Sequence, residues 1–536
     1  MRLYQQFRAS ITRPAVVGAL ALLFASGTPM SAFGQVAPTP AAAPGAPAEA
    51  VQGTPLAIDD AVRMALENNL GIQTEKLNPQ IQVLGIARAN AAYAPALFSN
   101  LNRRSSTAPP TDFNTSVGTE VTTNSTFGTT AGVQQNVRWG GGNYSLSFDG
   151  SRATSNAVNN FFNPNLGAGL NALYTQPLLR NFKIDALRVN ILQSQNQAAA
   201  ADIQLQQRIT QTARNVRAAY YQLIGARSGY DVARESLNVA ETSLKNNRTR
   251  VEVGTMAPID ITAAEAEVAS NQEQVIIQQA AIESAQDNLR ALIMNPSQPD
   301  FWASRFVPAE QPVLTARVID VDGAIKNALQ NRTDLREFKK TMENTDLNLK
   351  FAANQRLPSV DLSARYGVTG VAGTQFDLDR TTFPPTILSQ SQRNFTDALR
   401  DVFGNDFKTW SFAVNVSYPI GTSQADAALA QTKIQKQQEL VTLANLELAV
   451  TQSVRDAARQ VNTNLRRVEA TRTARELAEK RLEADNKRFA VGLATTFELL
   501  QSQRDLARAR QSELRATIDY NQSLVDFEAV QIAPIR

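Results

Sequence analysis

The fold is decided by residues 223–254, which read LIGARSGYDVARESLNVAETSLKNNRTRVEVG. Nine residues of this stretch recur at spacings of three and four: Leu223, Ala226, Tyr230, Ala233, Leu237, Ala240, Leu244, Asn247 and Val251. Residues at this spacing form one stripe along an α-helix. Because the chain is free of proline from about residue 182 to residue 252, the pattern predicts one helix roughly 105 Å long. Such a helix is far too long for an ordinary globular core.

A glycine turn is predicted to end this helix. Val253-Gly254-Thr255 follows the stripe, and Val491-Gly492-Leu493 follows a second long helical stretch. The second stripe consists of Ile434, Gln437, Val441, Ala444 and Leu448, then Ala458, Val461, Leu465 and Val468. Glycine supplies the positive φ that helix ends often need, so we assign Gly254 and Gly492 to the turns. Shorter helices return to about residues 293 and 530, which makes two antiparallel helical hairpins.

The two hairpins belong to an internal duplication. At an offset of 263 residues, the first-half set Ala61, Ala65, Leu66, Asn68 and Pro95 matches the second-half set Ala324, Ala328, Leu329, Asn331 and Pro358. Pro177 matches Pro419 at an offset of 242, and Arg250 matches Arg488 at an offset of 238. Because the order of landmarks is the same, the fold itself is predicted to be duplicated. Because the offset falls from 263 to 242, the first half is predicted to have 21 extra residues between Pro95 and Pro177.

Between the helical parts, the hydrophobic period changes to two. Apolar and polar residues alternate over residues 359–368 and 409–418, and further strands are predicted at 97–105, 127–139, 143–150 and 166–175. Such strands fit a membrane β-barrel whose outside meets lipid and whose inside meets water. A soluble β-sandwich alternates in the same way. Isolated up-and-down groups of strands between very long helices favour the barrel.

One predicted β-hairpin, residues 127–150, has no counterpart in the second half. Its strands flank Gly140-Gly141-Gly142, a tight-turn signal. The hairpin accounts for the 21-residue change in offset, although unequal loops would also do so. Two or three strand pairs cannot close a barrel alone, and an open edge in lipid is prohibitive. We therefore expect several chains to share one barrel.

Composition argues against an enzyme. The chain has no His and no Cys, so the commonest zinc ligands, general bases and nucleophiles are missing. A hydrolase using Ser and carboxylates stays an alternative, but the chain has no Gly-x-Ser-x-Gly elbow. We expect no catalytic residues, no cofactor and no metal site. The charge without residues 1–34 is +1, so nucleic acid is not implied as a partner.

Five segments are predicted along the chain. Residues 1–34 have a basic start, an apolar run from Ala15 to Phe24 and the small-residue site Ala32-Phe33-Gly34, which is typical of a signal peptide cleaved after Gly34. Residues 35–53 form a leader rich in Pro and Ala. Residues 54–318 are the first repeat, 319–531 the second, and 532–536 a tail.

The chain resembles the outer-membrane efflux protein family, the TolC-like channels. The resemblance covers nearly all of residues 54–531. It rests on the duplicated opening Ala-x-x-x-Ala-Leu-x-Asn, on Tyr174-Thr175-Gln176-Pro177-Leu178 with Ser417-Tyr418-Pro419-Ile420, and on Arg250-Val251-Glu252-Val253-Gly254 with Arg488-Phe489-Ala490-Val491-Gly492. It implies a mainly α fold with membrane β-strands, in which helical hairpins form a periplasmic α-barrel and the strands join a trimeric outer-membrane β-barrel. It also places residues 295–318 in a belt around the helices.

Function and partners are implied by the same resemblance. The expected role is a passive exit duct of a tripartite efflux or type I secretion system in the outer membrane, with a large periplasmic portion. The expected partners are two further copies of the chain, a periplasmic adaptor protein, an inner-membrane transporter and outer-membrane lipid. A periplasmic coiled-coil adaptor is the alternative, but it would not explain the lipid-type strands. The family norm is four strands per chain, whereas the extra hairpin here suggests six, and eighteen in a trimer.

Candidate gate residues follow from the family's constriction at the hairpin tips, which acidic residues line. Asp260 and Glu498 fit, each six residues after a turn glycine. They equally fit the ordinary preference of acids for helix starts. Arg250 and Arg488 are candidates to pair with these acids; ordinary solvated charge is the simpler interpretation.

An aromatic girdle is expected where the strands meet the periplasm, and ordinary strand packing is the alternative. Its candidate residues, with the strand-exit prolines, are Tyr174, Pro177, Tyr418, Pro419 and Trp139.

Overall fold

A computed structural model describes residues 53–109, 121–157, 160–310, 317–379, 381–382, 385–421 and 423–534 of the 536-residue chain. The predicted signal peptide, all of the predicted leader except Gly53, and the last two residues of the predicted tail lie outside this range. Part of the predicted belt, residues 311–316, does so as well. The five segment boundaries stay predictions.

Two helical hairpins of equal size dominate the fold. In the first, α4 (Ala186–Glu252) has 67 residues and α5 (Ile259–Ile293) has 35. In the second, α9 (Gln424–Ala490) also has 67 residues and α10 (Thr496–Val530) has 35. The duplicated hairpins predicted from the heptad spacing are confirmed. None of the helices among the described residues combines the length and apolar character needed to cross a membrane.

Each half begins with shorter helices, and they follow the same order in both halves. The first half begins with α1 (Ile58–Asn68), α2 (Leu70–Glu75) and α3 (Leu77–Ala91). The second begins with α6 (Val321–Asn331) and α7 (Thr333–Gln355). The breaks at Asn69 and Arg332 both have extended ψ angles, 119° and 131°. They stand 263 residues apart, at the offset found in the sequence.

The α4 stripe is packed inward. Leu223 is fully buried and Ala240 nearly so, and Leu223 belongs to a core that includes Leu289 of α5. The short first helices cover the middle of α4, where Ala61 and Ala65 join that core. In the second half Val454, Val461 and Tyr520 form the equivalent core with α6.

The first part of the α9 stripe behaves differently. Its five residues all lie on the exposed surface of this chain: Ile434, Gln437, Val441, Ala444 and Leu448. The helix is present as predicted, but this half of its stripe has no cover from its own chain. A surface stripe of this kind is typical of contact between helices of separate chains.

Among the described residues, seven strands form one antiparallel sheet with six strand positions. They are β2 (Ala96–Ala108), β3 (Thr122–Asn136), β4 (Asn143–Ser155), β5 (Phe162–Pro177), β7 (Ser359–Asp379), β8 (Thr386–Arg393) and β9 (Phe407–Ser417). The order is β2-β3-β4-β5-β7, and β8 and β9 share the last position along the 21-residue β7. The hairpin of residues 127–150 is therefore integral to the sheet. The predicted strand 127–139 was too long, because Arg138 to Gly141 form a turn.

Two elements of this region were not predicted. They are β8 and a ten-residue helix, α8 (Phe395–Gly404), which follows it. Two short strands, β1 (Thr54–Leu56) and β6 (Phe306–Pro308), pair in parallel beside the middle of α4. The hydroxyl of Tyr220 donates a hydrogen bond to the carbonyl of Leu56 at 2.8 Å, which ties β1 to that helix. The β6 segment of the predicted belt therefore lies beside α4 at mid-length.

Candidate functional site: the sheet and the hairpin tips

The sheet has one apolar and one polar face. Cross-strand partners share a face, and the row Phe148, Leu170 and Val368 is apolar. The next row contains Ser147, Asn171 and Gly367 and lies on the opposite face. The alternation predicted for single strands is therefore aligned from strand to strand, so the whole sheet has an apolar face and a polar face.

The polar face has its own hydrogen-bond network around Asp149. The hydroxyl of Thr130 and the side-chain amide of Asn171 each donate to this carboxylate at 2.7 Å. Ser147 also donates to it, at 3.3 Å. These bonds join β3, β4 and β5 through side chains, as a water-filled lumen permits.

The two edges of the sheet are open. No outer strand partner for β2, β8 or β9 exists among the described residues. Every residue of β9 is exposed, and nearly every residue of β2. Because unpaired backbone groups are costly in lipid, strand edges of this kind are normally paired in a membrane.

The predicted strand-exit and girdle residues gather at one end of the sheet, where α4 and α9 begin. Pro177 ends β5 opposite Asp361 of β7, and Tyr418 and Pro419 follow β9 directly. Trp139, 72% exposed, packs edge-on against Phe182 at 5.8 Å. This position suits a girdle, and the girdle itself stays a prediction.

Tyr174 is fixed at the same end by hydrogen bonds. Its hydroxyl donates to the side-chain oxygen of Gln176 at 2.6 Å. The Gln176 amide donates in turn to the carbonyl of Gly140 at 2.8 Å. Gly140 and Gly141 both have φ of +69°, a conformation that glycine adopts without steric cost. The glycine turn thereby packs against the last residues of β5.

The hairpin tips have closely similar backbones. Gly254 has φ of +79° and Gly492 has φ of +77°. The next residue in each turn, Thr255 or Leu493, donates its backbone N–H to the carbonyl of Arg250 or Arg488 at 2.8 Å. This bond satisfies a carbonyl that the helix end leaves free, and the left-handed glycine makes it possible.

The two candidate gate acids have different surroundings. The Glu498 carboxylate accepts the backbone N–H of Thr495 at 2.8 Å, and Thr495 accepts the N–H of Glu498 at 3.2 Å. This capping box satisfies the start of α10. Asp260 is partly buried in the first turn of α5, which has no side-chain cap. Glu498 therefore has a helix-start role, whereas Asp260 makes no capping contact of this kind.

The candidate arginines make other contacts within the described part of one chain. The guanidinium of Arg250 lies over the ring of Phe489 at 4.6 Å, which joins the two hairpins by a cation–π contact. Arg488 donates to the carbonyl of Leu493 at 3.2 Å and lies 3.5 Å from the Asp485 carboxylate. Their predicted pairing with the tip acids is not seen in this single chain.

A second contact between the hairpins was not predicted. Arg504 of α10 lies 2.7 Å from Glu267 of α5, whose side chain is only 10% exposed. The two residues are 237 positions apart, so no local pattern reveals the pair. It joins the returning helices of both hairpins near their tips.

Apolar residues project from both tips. Val253 and Ile259 of the first tip are 68% and 72% exposed. Val491, Leu493 and Phe497 of the second tip are each about 70% exposed. Soluble proteins seldom cluster so many exposed apolar residues, and such clusters are typical of contact surfaces.

An ion-pair network couples α9 to α10 further from the tip. Arg475 donates to Glu479 at 2.9 Å, and Arg510 of α10 lies 3.4 Å from the other oxygen of this carboxylate. Burial acts to raise the pKa of Glu479, but the hydrogen bonds and charges of Arg475 and Arg510 together hold that pKa below its ordinary value. The network therefore favours the ionised carboxylate.

We expect this network to make the second hairpin acid-sensitive. A carboxyl group whose pKa is lowered in the fold stabilises it above the unfolded pKa, and this stabilisation disappears as pH falls through the folded pKa. The loss should begin near pH 4.5, the ordinary value for glutamate. Glu479→Gln should lower the melting temperature at neutral pH and weaken its dependence on acid. Thermal unfolding at a series of pH values tests this, with Glu469→Gln on the same helix as control; equal acid dependence in wild type and Glu479→Gln would contradict it.

Comparisons with known proteins agree with this architecture. The profile of the family described as "Outer membrane efflux protein" matches residues 143–294 and 324–530. The chain is 21% identical over 371 residues to outer membrane protein TolC of Vibrio cholerae, covering 68% of this chain and 75% of that protein.

Solved structures show the same fold. The Campylobacter jejuni CmeC outer membrane channel has a TM-score of 0.61 at 14% identity, over 89% of this chain and 85% of that one. The open state of the Neisseria gonorrhoeae MtrE outer membrane channel has a TM-score of 0.58 at 17% identity, over 89% of both chains. The family profile matches both repeats and together covers well over half of the chain. The chain therefore belongs to the outer membrane efflux protein family and is an efflux channel of the outer membrane with a large periplasmic portion.

Proposed function

We propose that the channel is the passive exit duct of a tripartite efflux or type I secretion system, working with an inner-membrane transporter and a periplasmic adaptor protein. The observation that carries the proposal is the exposed apolar surface on both hairpin tips. These tips lie at the end of the 67-residue helices farthest from the sheet. An adaptor that docks there would continue the duct toward the inner membrane.

Three copies of the chain are proposed to form the duct. Two features support this: the open edges of the sheet and the exposed stripe of α9. Pairing β9 and β8 of one copy with β2 of the next would close both edges. With six sheet positions in each copy, a closed trimer would have eighteen strands.

Co-purification from the native envelope tests the proposal. Photoreactive residues placed at Val491 and Leu493 should capture one periplasmic protein, and an inner-membrane transporter should accompany it. The rival function, a periplasmic coiled-coil adaptor, would leave the two-faced sheet unexplained. Extraction of a trimer with heat-modified migration from outer membranes would reject the adaptor, whereas a water-soluble chain with no such trimer would reject the channel.

The gate is proposed to lie at the tips, with Asp260 and Glu498 facing the pore. Three copies would bring six carboxylates to one narrow mouth. A ring of one sign attracts cations and repels anions, most strongly at low salt, where the Debye length is ~30 Å at 0.01 M.

We expect Asp260→Asn combined with Glu498→Gln to reduce cation selectivity. The substitutions keep side-chain size but remove charge, so the trimer should persist. The measurement is the reversal potential in planar bilayers under a salt gradient, which should move toward zero. Asp149→Asn is the matched control, because this acid lies on the polar face of the sheet. If only the control variant lost selectivity, the selective ring would lie in the sheet and the gate assignment would be wrong.

A further inference from the structure

The connection between β8 and β9 contains α8, and this helix lies on the apolar face of the sheet. Ala398 is fully buried and Val402 is 4% exposed, packed with Ala168, Val368 and Ala372. These three sheet residues belong to the apolar face, since Val368 and Ala372 pair with Leu170 and Leu166, and Ala168 lies two residues from each leucine along β5. The helix therefore lies on the side of the sheet that faces lipid.

The contact between helix and sheet is close and specific. A Cβ atom at Gly370 would collide with the carbonyl oxygen of Ala398, so the helix backbone rests directly on β7. The polar side of α8 is held by Arg393, which donates to both carboxylate oxygens of Asp401 at 2.8 and 2.9 Å. Asn405, with φ of +60°, ends the helix and accepts the Tyr366 hydroxyl. Packing and hydrogen bonds therefore fix the helix to the sheet surface.

The apolar sector of α8 is wider than its contact with the sheet. At 3.6 residues per turn, Ala398, Val402, Phe395, Leu399 and Phe403 fall within about 140° of the helix circumference. Ala398 and Val402 face the sheet, whereas Phe403 is 79% exposed and Phe395 is 38% exposed. The remaining circumference is polar and consists of Thr396, Asp397, Arg400, Asp401 and Gly404. One flank of the helix therefore presents the uncovered ring of Phe403 and the partly covered ring of Phe395.

The height of α8 corresponds to one boundary of a membrane. It contacts β7 at residues 368–372, nine to thirteen residues from the strand end nearest the hairpins. At about 3.3 Å per residue and a tilt of about 40°, this is roughly 23–33 Å. The apolar band of an outer-membrane sheet is about 25 Å tall. The exposed apolar residues Trp410, Phe412 and Val414 lie between α8 and the hairpin end.

The apolar face also changes character at the cross-strand row of Ala372, where α8 packs. The cross-strand row of Ala372 contains Leu166, Arg152, Phe127 and Arg103. Both arginines are exposed. Arginines do not face the hydrocarbon core of a bilayer without large cost, but they suit the headgroup level.

We propose that α8 is an interfacial helix that binds lipid of the outer leaflet. Acyl chains pack against the flank with Phe395 and Phe403, and lipid headgroups lie beside Arg400, whose guanidinium is also 3.9 Å from the Asp397 carboxylate. This is the chemistry of an amphipathic helix in the plane of a membrane interface. The helix covers the break in the sixth sheet position and fixes the depth of the channel in the bilayer.

Spin labels provide a direct test, because the full-length chain has no cysteine. Single variants Phe403→Cys, Arg400→Cys and Phe412→Cys are labelled with a nitroxide and placed in vesicles of phosphatidylcholine and phosphatidylglycerol. Collisions with oxygen, which concentrates in lipid, are compared with collisions with a water-soluble nickel complex. We expect the oxygen-to-nickel ratio to exceed one at position 403 and to fall below one at position 400. Position 412, deep in the band, should have the highest ratio.

Two outcomes would overturn the proposal. A ratio below one at position 403 would mean that this flank faces water. An immobile label at position 403 with few collisions of either kind would mean that protein covers it. Migration of each variant as the wild-type assembly verifies folding, and the three sites are exposed enough to tolerate the label.

Discussion

Aspartate in place of both Leu493 and Phe497 is expected to abolish export while the channel still assembles. The two side chains are 70% and 71% exposed, so their loss should cost the single chain little. At a covered interface, each would contribute about 1.5–3 kcal/mol. Since each 1.4 kcal/mol is a factor of ten in affinity, the double variant should bind its adaptor at least about a hundredfold more weakly.

The measurement is capture of the adaptor by the purified channel, together with export by cells that carry the variant. Lys487→Asp is the matched control. It changes charge near the same tip but removes no apolar surface, and its exposed ion pair with Glu483 contributes little. Undiminished capture by the double variant would show that the adaptor docks elsewhere. Equal loss in the control would assign the effect to charge.

Aspartate in place of both Val441 and Leu448 is expected to split the trimer. This is the second large effect that we expect. These residues are 64% and 58% exposed on α9, in the stripe that its own chain leaves uncovered. In a trimer each interface would lose two apolar contacts and would bury carboxylates without partners, which is strongly unfavourable. Light scattering of the detergent-solubilised protein should therefore report monomers.

Gln435→Asp is the control for this substitution. Gln435 is exposed on the same helix, about a third of a turn from the stripe. It should leave the trimer intact. Trimers of unchanged stability with aspartate at both Val441 and Leu448 would show that this stripe faces the aqueous channel or solvent instead of a neighbouring copy.

Local patterns predicted most of the fold. The 3,4 spacing and the two turn glycines located both hairpins, because helix periodicity is a property of consecutive residues. The alternation of residues 359–368 and 409–418 located β7 and β9 for the same reason. The extra hairpin was found through its glycine turn. Its first strand was predicted to reach Trp139, but the chain turns once the ladder with β4 ends at Asn136.

The short helix α8 was missed although the sequence contains its signals. Asn394 and Asp397 form a capping box, and Asn405 ends the helix in the left-handed conformation. Ten residues between strands carry little periodic information, since a helix of fewer than three turns gives a weak pattern. Only the tertiary structure shows that the helix packs on Gly370 of β7.

The candidate site was predicted unevenly. The turn glycines follow from backbone conformation alone, and the structure gives both a positive φ. Arg250 contacts Phe489, and Glu267 pairs with Arg504. Each partner lies more than 200 positions away along the chain. No spacing rule links such residues. We predicted acidic partners for the two arginines because a sequence shows the charge of each residue. It does not show that the ring of Phe489 lies beside Arg250.

By itself, the sequence determined the elements of this protein: two long hairpins, alternating strands, their duplication, and the lack of His and Cys. These depend on backbone periodicity and composition, which neighbouring residues specify. The tertiary structure alone decided which surfaces meet. It packed the α4 stripe inward and left the α9 stripe exposed, joined the hairpins through Arg250 and Glu267, and laid α8 on the apolar face of the sheet. The physical reason is that burial is a relation between distant segments, so a stripe predicts a contact without naming its partner.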